Sequence, residues 1–110
     1  MFQGGFDEAV ALWREAFPNL ALEPLGPARA RVTIAGQDLF LFESPVKHDF
    51  GFTPSISLVV ETTPDEVDRI AGILGRGGDL LMPLDVYDFS PRFTWVNDRF
   101  GVSWQIMAAA

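Results

Sequence analysis

Residues 6–17 set Phe6, Ala9, Val10, Trp13, Ala16 and Phe17 at i, i+3, i+4, i+7 intervals, which predicts a helix with one apolar stripe. Asp7 and Glu8 open it, where the helix dipole favours negative charge, and Pro18-Asn19 closes it. A second stripe, Val67, Ile70, Ala71 and Leu74, follows Thr63-Pro64-Asp65-Glu66. Thr at the N-cap, Pro at the first helical position and Glu at the third make that tetrapeptide a helix start. Gly75, Gly77 and Gly78 end the helix. Between the two stripes lie short extended runs at 20–24, 29–34 and 38–43, punctuated by Gly26-Pro27 and Gly36-Gln37. Residues 44–54 read as a loop, 55–61 alternate toward a strand, and 80–84 form another.

The C-terminal stretch Phe93-Thr94-Trp95-Val96-Asn97-Asp98-Arg99-Phe100-Gly101-Val102-Ser103-Trp104-Gln105-Ile106-Met107 is two aromatic and β-branched runs around a polar turn, the pattern of a β-hairpin. The two halves of the chain echo each other. Each has a helix led by Asp-Glu (Asp7-Glu8, Asp65-Glu66) and closes on a Gly-led strand (36–42, 101–107). The offset of about sixty residues fits a duplicated βαβββ module. At the front only Met1-Phe2-Gln3 precede Gly4-Gly5, so the opening strand is a stub or its true start lies upstream. A missing strand leaves a sheet edge unpaired unless another chain covers it.

Nearly half of the 110 residues are apolar, which fits one small globular domain spanning 1–110 and argues against disorder. No apolar run approaches the roughly 18 residues of a membrane span, and no signal peptide is visible. There is no Cys, so disulfides and thiolate metal sites are excluded, in keeping with a cytoplasmic protein. The net charge is −7 with scattered basic residues. That balance repels phosphate backbones and argues against nucleic acid and anionic membranes as partners.

With Gly78-Asp79-Leu80-Leu81-Met82-Pro83-Leu84-Asp85 ahead of the hairpin, the chain resembles the PhnB-like proteins. These are often labelled 3-demethylubiquinone-9 3-methyltransferase-like and belong to the vicinal-oxygen-chelate (glyoxalase/bleomycin resistance/dioxygenase) superfamily. The resemblance implies an α+β fold of two βαβββ-like modules, here with the first strand truncated, and assembly as a homodimer. It also implies metal ligands, His and Glu, on the first and last strand of each half. Position by position, the first falls before Met1 or in the stub, and the others fall on Phe40, Ser55 and Gln105. None of these has the His, Asp or Glu chemistry that a catalytic zinc or magnesium site needs, so no metal or other cofactor is expected. The methyltransferase label finds no support either, because no Gly-rich loop opens a helix after a first strand.

The candidate site is therefore a small, mostly apolar cavity with a few polar groups on the concave face of the sheet. Strand alternation puts Ser103, Gln105 and Met107 on that face, with Trp104 and Ile106 under a helix. On the preceding run Ser55, Ser57 and Val59 share the face, while Ile56, Leu58 and Val60 turn to the helix. Phe40, Phe42 and Trp95 complete the wall, or fill it as plain core. Tyr87, with Asp85 and Asp88 on one loop, lines the mouth or serves as turn chemistry. His48, the only imidazole, is either a general base oriented by Asp49 or an ordinary loop residue, and Asp85 is the other weak catalytic candidate. The favoured function is metal-independent binding of a small molecule. The alternative is an enzyme of the superfamily, metal-dependent or acid–base through His48.

Overall fold

A computed structural model describes residues 1–109. The described residues form two helices and seven strands in two sheets, divided into two compact units, Met1–Gly51 and the residues from Phe52 onward.

In the first unit, α1 (Phe6–Ala16) is followed by β1 (Ala21–Gly26), β2 (Arg29–Ile34) and β3 (Gln37–Phe42), an antiparallel meander in that order. Alternation in β2 buries Ala30, Val32 and Ile34 and leaves Arg29 and Arg31 exposed. Ahead of α1 the described residues make one strand-like contact. Phe2 makes a single parallel bridge to Glu43, its N–H donating to the Phe42 carbonyl at 2.6 Å and its carbonyl accepting from Ser44 N–H at 2.7 Å. The Phe2 ring is buried between Phe6 and Trp13, both 5.7 Å away by centroid. Phe2 is therefore core, not the exposed apolar surface that a truncated strand suggests. The N-cap of α1 is Gly5, in the left-handed region at φ 78° and with no side chain to offer. Glu43 supplies the missing acceptor, its Oε2 lying 3.0 Å from Phe6 N–H.

In the second unit, β4 (Leu58–Thr62) leads into α2 (Pro64–Leu74), then β5 (Asp79–Tyr87), β6 (Ser90–Asn97) and β7 (Ser103–Ala108). The sheet order is β4-β7-β6-β5, with β4 parallel to β7 and the other pairs antiparallel. The same order appears in the first unit once Phe2 is set beside β3. The duplication is thus one of topology. Thr63 caps α2 as expected, its Oγ1 accepting from Glu66 N–H at 3.3 Å. Val67, Ile70 and Leu74 pack against β6 and β7 and are buried together with Thr94, Val96, Trp104 and Ile106.

Three sequence expectations need correction here. β4 starts at Leu58, because Pro54 and Ser55 form a turn held by Thr53 Oγ1, which accepts from Ser55 N–H at 3.3 Å. Ile56 is accordingly 76% exposed and does not face the helix. β5 runs on to Tyr87, so Asp85 and Tyr87 are strand residues. The acids read as a loop lie instead on an edge strand with irregular register, which also carries Pro83 where proline is tolerated. No helix among the described residues is long and apolar enough to cross a membrane.

Candidate functional site

The face of the second sheet opposite α2 gathers most of the predicted site residues. The register sets Gln105 beside Trp95 on one side and Val59 on the other. Asn97 pairs with Ser103, Phe93 with Met107, and Glu61 with Met107 from β4. Because Val60, Ile106, Trp104 and Val96 point to α2 and are buried, their neighbours in sequence share the other face.

Two hydrogen bonds order this face. Gln105 Nε2 donates to Ser57 Oγ at 2.8 Å, joining β7 to the residue just before β4. Trp95 Nε1 donates to Ser103 Oγ at 2.7 Å, joining β6 to β7. Both acceptors are neutral hydroxyls, each keeping its own proton to donate. Asn97 Oδ1 is a buried acceptor with no partner among the described residues. Strand parity with Trp95 and Gln105 marks Asn97 as part of this face, a signal present in the sequence that did not single it out. At the far end of the face, Tyr87, Phe89 and Phe93 form a ring cluster with centroids 4.7–5.6 Å apart. The Tyr87 hydroxyl turns back to donate to the Pro83 carbonyl at 2.7 Å, so the tyrosine contributes its ring more than its polar tip. The Asp85 carboxylate accepts from the N–H of Val86 at 2.7 Å. Ser55 lies outside the strand in its exposed turn.

In the first unit, β2 and β3 set Phe40 opposite Arg31 and Phe42 opposite Arg29. Phe40 is 65% exposed beneath the Arg31 guanidinium, 5.2 Å from the ring centroid, a cation–π pair on the surface. Phe42 borders a cleft of about 470 Å³ with Pro27, Arg29, Glu43, Ser44 and Pro45.

His48 has company that the sequence did not reveal. Its Nε2 lies 3.0 Å from Ser44 Oγ, its ring stacks on Phe50 at 4.9 Å, and its backbone N–H donates to Gln3 Oε1. Gln3 Nε2 in turn donates to the Phe50 carbonyl at 2.7 Å. No local pattern marks Gln3, since the contact spans 45 residues. Ser44 Oγ also donates to the Val46 carbonyl at 2.8 Å. Ser44 Oγ is thus shared between the His48 ring and the backbone of Val46. The geometry is that of a braced turn.

The metal that the sequence resemblance implies is a poor match to these residues. Phe40 offers a ring, Ser55 an exposed hydroxyl in a turn, and Gln105 an amide committed to Ser57. Among the described residues no three His, Asp or Glu side chains cluster.

A family model described as 3-demethylubiquinone-9 3-methyltransferase matches residues 1–107. The PhnB protein of Bacillus cereus is 35% identical and superposes with a TM-score of 0.88, over 99% of this chain and 95% of its own. Protein PA1353 of Pseudomonas aeruginosa is 22% identical with a TM-score of 0.83, over 98% of this chain and 92% of its own. The fosfomycin resistance protein FosX of Listeria monocytogenes, complexed with Mn(II) and sulfate, is 14% identical with a TM-score of 0.71, over 96% of this chain and 82% of its own. Among curated proteins none matches.

Proposed function

The chain belongs to the 3-demethylubiquinone-9 3-methyltransferase family, the PhnB-like branch of the vicinal-oxygen-chelate fold, and we propose that it is a metal-independent small-molecule binding protein. A shared fold does not fix an activity, so the proposal rests on the site. The observation that carries it is the row Ser57–Gln105 and Trp95–Ser103, neutral polar groups held in place by each other on a face they share with Val59, Phe93 and Met107. Preset polar groups on an apolar wall are the chemistry of a small-molecule site. Ser57, Trp95, Ser103, Gln105 and Met107 are its residues in the second unit. Tyr87 lines its mouth, Ser55 is left out because of its turn, and Phe40 and Phe42 are candidate ligand-binding residues of the first unit, taken by itself.

The chain acts as one domain and as a homodimer in this reading. Beyond the single bridge at Phe2, no strand among the described residues pairs with the outer edge of β3. Phe40, Phe50, Ile56, Val86 and Phe89 are each more than half exposed. An unpaired edge and exposed rings favour pairing with a second copy, and an obligate interface buries roughly 2,000 Å² or more.

The test is a fragment screen by NMR on ¹⁵N-labelled protein in chelator-containing buffer. Ligands that shift the Trp95 indole signal without added metal support the proposal. Binding that appears only with added divalent metal, or turnover abolished by chelation, refutes it.

A further inference from the structure

The face that holds the proposed site has a one-sided charge inventory. Its strand positions are Ser57, Val59 and Glu61 on the β4 side, Ser103, Gln105 and Met107 on β7, and Phe93, Trp95 and Asn97 on β6. The charged groups of the face are the exposed carboxylate of Glu61 and, from β5, the exposed carboxylates of Asp79 opposite Asn97 and Asp85 opposite Phe93. No Lys or Arg stands at any of these positions, in contrast to β2, whose opposite-parity residues are Arg29 and Arg31.

The hydrogen-bonding groups are mixed, since Ser57 and Ser103 keep hydroxyl protons to donate while amide oxygens stand open as acceptors. Gln105 spends its amide N–H on Ser57, so its carbonyl oxygen has no partner among the described residues. Asn97 Oδ1 is a second amide oxygen without one, and it is buried. A bound group that donates to the side-chain oxygen of Gln105 gives that acceptor its partner. A bound carboxylate or phosphonate would sit beside the carboxylates of this face, and that like charge disfavours it. Beside Gln105, Trp95 presents an indole that is fixed at its N–H and only partly buried, a surface on which a flat ring stacks.

We propose that the group seated on this face is a planar ring without negative charge, neutral or cationic, that donates a hydrogen bond to the side-chain oxygen of Gln105. This rests on the small-molecule reading above and adds the ligand class to it.

Three matched single-ring probes, benzyl alcohol, benzylammonium and benzoate, test the inference. Each is titrated into the full chain while the Trp95 indole signal is followed, with a Trp95→Phe variant assigning that signal. Benzyl alcohol and benzylammonium are expected to shift it, with benzoate at least about tenfold weaker at low salt. Glu61→Gln should narrow the gap between benzylammonium and benzoate, while Asp65→Asn, the same charge change on α2, should leave it as it was. Benzoate binding as well as benzyl alcohol would overturn the inference while leaving the small-molecule reading standing. Equal effects of the two charge variants would also overturn it. If none of the probes moves the signal, while the fragment screen finds a ligand that does, the inference falls alone. If neither finds one, both fall.

Discussion

The indole N–H of Trp104 donates to the carboxylate of Asp98, 3.0 Å away and wholly inside the protein. The other oxygen of that carboxylate accepts from the backbone N–H groups of Phe100 at 2.9 Å and Val102 at 3.0 Å. One buried acid thus closes the β6–β7 turn and anchors the largest side chain under α2. Gly101, at φ 93°, gives the turn its left-handed residue.

Asp98→Ala should be among the most destabilising substitutions in the chain. It strands buried donors that water cannot reach, at about 1–3 kcal/mol for each unsatisfied group. Asp98→Asn keeps one acceptor oxygen and should fall between the wild type and the alanine variant. Urea unfolding followed by fluorescence ranks the three, and an Asp98→Ala midpoint equal to wild type would contradict the role given to the carboxylate.

Two glycines should respond in opposite directions. A Cβ at Gly78 would lie 2.0 Å from the Asn97 carbonyl oxygen, a backbone atom that cannot step aside. Gly78→Ala should therefore displace the start of β5 from β6 and lower stability by about 2 kcal/mol or more. Gly72 sits inside α2 and a Cβ there meets nothing within 4 Å. Gly72→Ala should stabilise by about 0.5–1 kcal/mol through helix propensity and a less free unfolded chain. Thermal melts of both variants check the signs.

The two helices are capped differently, and the difference is testable. Thr63→Ala removes a local cap from α2, and Glu43→Ala removes one that reaches α1 from the end of β3. Each should lower stability by about 0.5–2 kcal/mol. Amide hydrogen exchange distinguishes them. Faster exchange should appear at Glu66 in the first variant and at Phe6 in the second.

Of the three tryptophans, Trp13 and Trp104 are each 1% exposed while Trp95 is only partly buried. Acrylamide should quench Trp95 first, and Trp95→Phe should remove the readily quenched component of the emission. A quenching slope unchanged in that variant would place the accessible indole elsewhere.

Sedimentation equilibrium at micromolar concentration checks the proposed dimer. A mass of two chains is expected. A clean monomer would leave the outer edge of β3 to be covered in some other way.

The sequence by itself determined what depends on short-range periodicity. The stripes of α1 and α2, the Thr63 cap, the bounds of β2 and the sharing of one face by Ser103, Gln105 and Met107 all follow from 3.6- and 2-residue repeats that the backbone imposes. What the tertiary structure decided was where polar groups find partners. Gln105 reaches Ser57 across 48 residues, Glu43 reaches Phe6 across 37, and His48 meets Gln3 across 45. Sheet register creates those meetings, and no local pattern encodes them. The same holds where the alternation misled. Ser55 and Ile56 continue the period of β4 in sequence, yet Thr53 draws the backbone into a turn there. A hydrogen-bonded turn overrides an alternation that has no neighbouring strand to pair with.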